Sequence, residues 1–332
     1  MAVCFSPGHP PAWAYSPVAR ARLGHPILDA VHRLPAGIHP LSRHRNPARN
    51  PHHLPAWRPR HPYAVSQFQL LSPVDRGRLR RVPVRSGGRG LSDRTEDISE
   101  YTLARNIADL EAIRQAIGAE KMILIGTSWG GVLAAQYLAV YPDQVARAVL
   151  ISPGVLGDRS EVKYDYKTTA SSDDDSVILP SLRFIVAGAL ARIQPGVAEQ
   201  FASQEEMGVI YDTFTTSPNV DYQTNCKGYQ PPANTSTRSG GSNYYANLLT
   251  LASLKTALDP RPILQNNPTP VLILRGECDY IPLEATMRYK ETLPNAVFVP
   301  VPGAGHAVTS AQPELSLVMI RAFLSGAPMP NP

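Results

Sequence analysis

The sequence is poor in cysteine and contains no long apolar run. Three cysteines in 332 residues do not suggest a disulfide framework, and we expect Cys278 to be a small buried residue rather than a nucleophile. No stretch reaches the roughly 18 apolar residues of a membrane span. Prolines interrupt the N-terminal residues, which lack the continuous apolar core of a secretory signal. The sequence therefore predicts a cytoplasmic protein that does not bind a membrane.

Lysine and acidic residues are scarce at the front of the chain. Residues 1–90 hold fourteen arginines, no lysine, two acids, fourteen prolines and eight histidines. This segment therefore carries +12, whereas the remaining 18 basic and 25 acidic residues carry −7. A basic arm that binds nucleic acid would usually mix lysine with arginine. We therefore expect no nucleic-acid partner. The chain also shows no cluster of metal-ligating residues, so we expect neither a metal nor another cofactor.

One short segment has the pattern of a catalytic motif. It is Gly-Thr-Ser-Trp-Gly-Gly at residues 126–131, directly after the apolar run 122–125. A serine with glycine two residues before and two residues after it is typical of a nucleophile elbow, a sharp turn from strand to helix. Side chains at the two glycine positions would collide with the neighbouring strand and helix. The turn would expose the hydroxyl of Ser128 and direct the N–H of Trp129 at a developing oxyanion. We predict these two residues as nucleophile and oxyanion donor.

A serine nucleophile needs a base, and the distribution of histidines restricts the choice. Eight of the nine histidines lie in the N-terminal segment, so only His306 follows the serine. It lies in a glycine-rich loop after the apolar run 296–299. The acid should also follow a strand, and the apolar run 271–274 leads to Glu277 and Asp279. We predict Asp279 as the acid, with Glu277 as the alternative, because a buried carboxylate there would orient the imidazole and stabilise its charged form.

The order serine, acid, histidine resembles the α/β-hydrolase superfamily. Within it, the segment 126–131 and the following helix, which ends in Tyr-Pro at 141–142, resemble the prolyl aminopeptidase (proline iminopeptidase) branch. The resemblance covers roughly residues 90–326. It implies the α/β-hydrolase fold, a mostly parallel sheet with helices on both faces and an inserted helical lid. It also implies a serine peptidase that releases N-terminal proline or a similar residue.

Members of this branch carry a second oxyanion donor in a loop of sequence His-Gly-Gly-Pro-Gly, which this chain lacks. Reading the codons of residues 54–60 one nucleotide later permits that motif, and the same shift at residues 82–86 permits Tyr-Leu-Tyr-Asp-Gln, which resembles another segment of the branch. This composition, rich in arginine, proline and histidine but without lysine, is also typical of GC-rich DNA that is translated out of frame. We interpret residues 1–89 as a frameshifted translation, with the first strands missing or disrupted. The alternative is a genuine, disordered extension.

The rest of the chain divides into a hydrolase core and an insertion, judged from apolar periodicity. The predicted units are residues 90–155 and 263–326 as core and residues 156–262 as a lid. The predicted helices cover about 103–117, 129–141, 182–193, 283–293 and 313–324, and the strands 122–125, 146–151, 271–274 and 296–299. In the prolyl aminopeptidase branch, lid carboxylates are expected to bind the free α-amine of the substrate. The candidates are Glu199, Glu205 and Glu206, which a solvated helix face would explain as well.

These residues together predict a serine hydrolase that works by acyl transfer through Ser128, Asp279 and His306. The expected substrate is a small peptide, with esters, lactones or amides as alternatives, because the lid and not the triad sets the substrate. Dehalogenases and epoxide hydrolases carry an aspartate where Ser128 stands, so their chemistry is not expected. A catalytically impaired hydrolase-like protein is the further alternative, because the frameshift would remove half of the oxyanion hole. The sequence leaves the oligomeric state open.

Overall fold

The centre of the molecule is one mixed sheet. The computed structural model describes residues 2–5, 80–84, 94–162, 180–215, 226 and 242–331. The strands of the sheet are β1 (Ala2–Phe5), β2 (Arg80–Pro83), β3 (Met122–Thr127), β4 (Val145–Ile151), β5 (Val271–Gly276) and β6 (Ala296–Val301). Within these ranges the spatial order is β2-β1-β3-β4-β5-β6. The strands β3 to β6 run parallel, whereas β1 pairs antiparallel with both β2 and β3.

Helices cover both faces of the parallel part of the sheet. The helices are α1 (Leu103–Ala116), α2 (Trp129–Val140), α3 (Leu182–Ile193), α4 (Pro195–Phe201), α5 (Gln204–Thr215), α6 (Tyr244–Ser253), α7 (Arg261–Leu264), α8 (Leu283–Thr292), α9 (Val308–Ala311) and α10 (Pro313–Ser325). Buried side chains of α1, α2 and α8 pack on one face, and those of α9 and α10 pack on the other. Within the described ranges, no helix combines the length and apolarity needed to cross a membrane.

The strand β5 shows why the parallel strands are continuously apolar. It lies between β4 and β6, and its residues 271–274 have no exposed surface. Val271 and Ile273 belong to the core on one face, whereas Leu272 and Leu274 belong to the core on the other. Successive side chains of a strand point to opposite faces, and helices cover both, so every position favours an apolar residue.

The helix α1 begins and ends where its sequence provides caps. The side chain of Thr102 accepts a hydrogen bond from the N–H of Arg105 at 3.1 Å, which satisfies one free donor of the first turn. Gly118, with φ of 67°, follows the helix in the left-handed conformation that ends many helices. The N–H groups of Gly118 and Ala119 donate to the carbonyls of Gln115 and Arg114, as in a Schellman motif. The predicted helix and its glycine stop are confirmed.

Within the described residues, the helices α3 to α6 lie between β4 and α7 in the chain and share one buried interior. Their interior contains small side chains together with Met207 and Tyr245, which have no exposed surface. The Tyr245 hydroxyl donates to the carbonyls of Ala198 and Ala202 at 3.1 and 2.8 Å, which joins α6 to α4. The sequence predicted α3 with its observed ends but did not predict α4, α5 or α6. The boundaries of the lid stay a prediction.

A disulfide joins the inserted segment to the core. Cys226 and Cys278 are bridged, with their Cα atoms 5.1 Å apart and 52 residues between them in sequence. The expectations of no disulfide and of a small buried Cys278 are therefore wrong, and Cys278 is only partly buried. The pairing has no local sequence pattern because the fold, not the spacing, brings the two cysteines together. Such bridges are rare in the reducing cytoplasm, where the sequence alone places this chain.

The described part of the first 89 residues includes the four-residue strands β1 and β2 of the sheet. Backbone pairing places Ala2 opposite Ile125 of β3 and Val3 opposite Val82 of β2. Strands from this segment are therefore not entirely missing, and β1 occupies the position next to β3. The two segments that the frameshift interpretation uses are residues 54–60, which lie outside the described residues, and residues 82–86, of which 82–84 are described. That interpretation stays a prediction.

Candidate active site

Ser128 lies at the turn between β3 and α2, with φ of 54° and ψ of −117°. This backbone conformation is unfavourable for a residue with a Cβ and costs about 1–3 kcal/mol. The turn is also tightly packed, since a Cβ on Gly126 would lie 2.1 Å from the carbonyl oxygen of Gly130. Only glycine fits at position 126, as the sequence pattern predicted for a nucleophile elbow.

Backbone hydrogen bonds hold the strained turn against the end of β4. The N–H of Ser128 donates to the carbonyl of Ile151 at 2.9 Å, and the carbonyl of Ser128 accepts from Gly131 at 2.9 Å and Gly154 at 3.3 Å. Trp129 is the first residue of α2, so its N–H has no acceptor within the helix and can donate to an oxyanion. Residues 54–60, where the shifted frame permits the second oxyanion donor, lie outside the described residues.

Asp279 follows β5, and its side chain has no exposed surface. Its Oδ1 lies 2.9 Å from Nδ1 of His306 and accepts the N–H of Ile281 at 3.0 Å. Glu277, the alternative acid, is exposed, and its Oε2 accepts the N–H of Gly303 at 3.0 Å. The structure therefore brings Asp279, and not Glu277, to the histidine.

The loops after β5 and β6 are braced against each other. These strands are parallel neighbours, so both loops leave the same edge of the sheet. The N–H of Cys278 donates to the carbonyl of Ala304 at 3.0 Å. A Cβ on Gly276 would lie 2.0 Å from the carbonyl oxygen of Gly305, so the close approach of the two loops requires glycine at position 276. This contact fixes the acid and the histidine relative to each other.

The pairing with Asp279 determines which imidazole nitrogen can act as a base. An ionised carboxylate only accepts hydrogen bonds, so Nδ1 of His306 carries the hydrogen and Nε2 keeps its lone pair. The imidazole is 14% exposed and can therefore be reached from solvent. Among the described residues, no hydrogen bond joins His306 to the Ser128 hydroxyl. Such bonds are often long without substrate and tighten when it binds.

Sequence reasoning missed Tyr280, whose ring packs against the imidazole of His306. The ring centroids lie 4.6 Å apart with the planes inclined by 53°. This contact restricts rotation of the imidazole. An aromatic residue directly after a predicted catalytic acid is the only feature of the sequence that could have suggested it.

The three predicted lid carboxylates each contact another side chain. Glu205 is the most exposed of the carboxylates in ion pairs described here, at 70%, and Glu206 is 37% exposed. A hydrogen bond from Arg183 lowers the pKa of the Glu206 carboxyl below its usual value. An arginine partner already satisfies part of the hydrogen-bonding capacity that a substrate amine would need. The pairs are Glu199 with Gln204 at 2.6 Å, Glu205 with Arg94 at 3.1 Å, and Glu206 with Arg183.

Comparisons with known proteins agree with this architecture. A proline iminopeptidase of Saccharolobus solfataricus is 38% identical over 81 residues, which are 24% of this chain and 24% of that protein. The (Lyso)-N-acylphosphatidylethanolamine lipase of Bos taurus is 26% identical over 220 residues, 63% of this chain and 60% of that protein. The chain thus spans less than two thirds of these relatives.

Among solved structures, a thermophilic esterase from Thermogutta terrifontis has a TM-score of 0.50 and 22% identity, over 79% of this chain and 84% of that one. At this identity the likeness concerns the fold alone. A model of the alpha/beta hydrolase fold family matches residues 86–309, which include the elbow, the acid loop and His306. The chain therefore belongs to the alpha/beta hydrolase fold family.

Proposed function

We propose that this protein is a serine hydrolase that works by acyl transfer. One observation carries the proposal: three chemically matched groups lie at the carboxyl edge of the parallel strands. Ser128 leaves β3 in a strained elbow, and the pair of Asp279 and His306 leaves β5 and β6 with a 2.9 Å contact. A buried acid, an imidazole oriented by it and a partly exposed serine are the parts of a site that activates a hydroxyl nucleophile.

In the proposed reaction, Ser128 Oγ attacks a carbonyl carbon and forms a C–O bond while His306 Nε2 takes the hydroxyl proton. The N–H of Trp129 donates to the oxyanion of the tetrahedral intermediate. His306 then gives its proton to the leaving group as the bond to that group breaks, which leaves an acyl-enzyme. Water, deprotonated by His306, hydrolyses the acyl-enzyme, and Asp279 keeps the imidazole oriented throughout.

The substrate we propose is a small peptide with N-terminal proline or a similar residue. The elbow with tryptophan after the serine supports this choice, and so does the short similarity to the proline iminopeptidase of Saccharolobus solfataricus. A carboxylate of the lid, from Glu199, Glu205 or Glu206, would bind the free amine of such a substrate. To do so it would exchange its present partner for the ammonium group.

Ester hydrolysis is the second candidate, favoured by the pairing of all three lid carboxylates. Glu205 and Glu206 form ion pairs with arginines, and Glu199 accepts a bond from Gln204. An uncharged ester needs no carboxylate, so it would leave these pairs intact. The same Ser128 chemistry serves both substrates, because each passes through an acyl-enzyme and the two differ only in the group that leaves.

A substrate panel separates the two candidates. The panel contains a prolyl arylamide with a free amine, its N-acetylated analogue and a short p-nitrophenyl ester, each with the wild type and with Ser128→Ala. An aminopeptidase should cleave the free-amine arylamide with a kcat/KM at least about 100-fold above that of the acetylated form, the amount expected from about 3 kcal/mol of ion pairing. Cleavage of the ester alone would exclude the aminopeptidase and keep the serine hydrolase. Turnover by Ser128→Ala equal to that of the wild type would exclude both.

A further inference from the structure

Arg275 is a partly buried arginine at the end of β5, four residues before the proposed acid. Its Nη1 donates to the carbonyl of Gly276 at 3.0 Å. Its Nη2 donates to the carbonyls of Asp279 at 3.2 Å and Ile281 at 3.0 Å. One guanidinium therefore holds three carbonyls of the turn that carries the acid.

The same turn also positions the carboxylate of Asp279. The N–H of Ile281 donates to Asp279 Oδ1 at 3.0 Å, and the carbonyl of Ile281 is the one that Arg275 holds. Ile281 is 3% exposed and packs with Val155 in a small buried cluster. Arg275 thus fixes both the backbone of the acid and the residue whose N–H orients its oxygen.

Charge supports this arrangement without a direct ion pair. Burial lowers the pKa of the Arg275 guanidinium, and the negative charge of Asp279 offsets only part of this shift. Within the described part of the chain, Nε of Arg275 and Oδ2 of Asp279 are both buried and without a hydrogen-bond partner. Arg275 is therefore bound to the backbone of the acid turn and not to its carboxylate.

We propose that Arg275 is a positioning residue for the catalytic carboxylate: it clamps the acid turn so that Asp279 faces His306. This inference rests on the proposed serine hydrolase function. The competing account is that Arg275 only stabilises the turn and that the reaction does not depend on it.

The test compares Arg275→Met and Arg275→Lys with the matched control Arg288→Met. Arg288 lies in α8 and also bonds a carboxylate and a carbonyl, those of Glu161 at 2.5 and 3.2 Å, but none of the described hydrogen bonds joins it to the acid turn. For each full-length variant, a fluorophosphonate probe gives two values: the rate constant of labelling and the labelled fraction at the endpoint. The value of kcat, the value of KM and the Tm are measured in parallel.

The expected result is a labelling rate and a kcat about 10- to 100-fold lower in Arg275→Met, the loss that a misplacement of about 1 Å produces. The endpoint fraction and KM should stay within about twofold, because folded protein and substrate binding persist. Arg275→Lys keeps the positive charge but loses the planar set of guanidinium donors. Its labelling rate should therefore lie between those of the wild type and Arg275→Met. Arg288→Met should label at the wild-type rate.

Three results would overturn the inference, and a fourth applies if Arg275→Met does not fold. One is a wild-type labelling rate in Arg275→Met. Another is a lower endpoint fraction and Tm while the labelled part still reacts at the wild-type rate, which would make Arg275 purely structural. If Arg275→Met does not fold, Arg275→Lys decides alone, and a wild-type rate there refutes the role. The third is a wild type that the probe does not label, which would refute the proposed function and this inference with it.

Discussion

Asp279 and Glu277 leave β5 two residues apart, and the course of the turn gives them different environments. The side chain of Asp279 is fully buried against His306, whereas Glu277 is exposed and caps the N–H of Gly303. A carboxylate that orients an imidazole must be desolvated and immobile, because solvent competes for its hydrogen bonds. The burial of one side chain, and not its residue type, therefore distinguishes the two acids.

The two acids give a matched pair of variants. In Asp279→Asn the amide can no longer hold His306 in the required tautomer, so we expect kcat to fall by about 10⁴. In Glu277→Gln the amide oxygen still accepts the N–H of Gly303, so kcat should stay within about threefold. Steady-state kinetics on a p-nitrophenyl ester, with Tm as the folding control, measures both. Equal losses in the two variants would contradict the assignment of the acid.

At this scale the sequence predicts residues whose role depends on local sterics or on scarcity. Gly126 and Ser128 follow from the geometry of a tight turn, and His306 follows because no other histidine lies after the serine. The choice between Asp279 and Glu277 stayed open, because burial depends on how two loops meet. Tyr280 was missed for the same reason: its contact with the imidazole is tertiary and has no sequence period.

Among the helices, the contact between α1 and α2 contains a buried charged group, Glu111. Its side chain is 12% exposed and forms an ion pair with Arg114 at 2.7 Å. The hydroxyl of Tyr137, a residue with no exposed surface, donates to Glu111 Oε2 at 2.6 Å. Burial alone would raise the pKa of the Glu111 carboxyl, but the hydrogen bonds from Arg114, Tyr137 and Gln115 outweigh it and lower that pKa.

This lowered pKa sets the sign of a pH dependence. A carboxyl with a lower pKa in the folded state stabilises the protein above its unfolded pKa, and the contribution is lost as the pH falls through the folded value. At pH 7, Glu111→Gln should therefore reduce the free energy of unfolding by about 2–3 kcal/mol, the usual range for hydrogen bonds to a charged group. As the pH falls below 4.5, the ordinary pKa of a glutamate carboxyl, the difference should shrink.

Urea unfolding at pH 7, 5 and 3 measures this difference, with Glu120→Gln, an exposed position in the loop after α1, as the control. The control should change stability by less than about 0.5 kcal/mol at every pH. A destabilisation of Glu111→Gln that is the same at pH 7 and pH 3 would contradict the account of the buried carboxylate.

Elements with a regular apolar period were predictable and the others were not. The helix α3 was predicted at 182–193 and observed at Leu182–Ile193, because its apolar residues recur at helical spacing. The helix α4 has seven residues and begins with Pro195, so it is too short to show a period.

At the scale of the whole molecule, the disulfide between Cys226 and Cys278 links two distant parts of the chain. Closing a segment of about 52 residues restricts the unfolded chain, which stabilises the folded state by up to about 4 kcal/mol in the chain-entropy description. We expect Cys226→Ser and Cys278→Ser to lower the Tm equally. A thiol reductant should lower the wild-type Tm to the same value and leave both variants unchanged. A reductant effect of the same size in the variants would contradict the bridge.

The frameshift interpretation of the first 89 residues leads to a prediction about the coding DNA. An insertion or deletion should appear between codons 40 and 92, since both missing motifs occur in one alternative frame. The corrected chain would regain the second oxyanion donor, which is worth roughly 3–4 kcal/mol of transition-state stabilisation. Sequencing the gene across these codons measures this directly. An intact reading frame would contradict the interpretation and establish the arginine-rich segment as part of the protein.

At the scale of the molecule, long-range pairings limited what the sequence could predict. The order and parallel direction of β3 to β6 follow from alternating strands and helices. The position of β1 beside β3 and the bridge from Cys226 to Cys278 do not, because each joins segments that are far apart in the chain. No local pattern encodes either contact.

The central claim is that Ser128 is an activated nucleophile. Its most direct test is reaction of the full-length protein with a fluorophosphonate probe, followed by peptide mass spectrometry. The account predicts one phosphonyl group per chain, located on Ser128, and no label on Ser128→Ala or on heat-denatured protein. Labelling of another residue, or an unlabelled wild type that is folded by its Tm, would contradict the account.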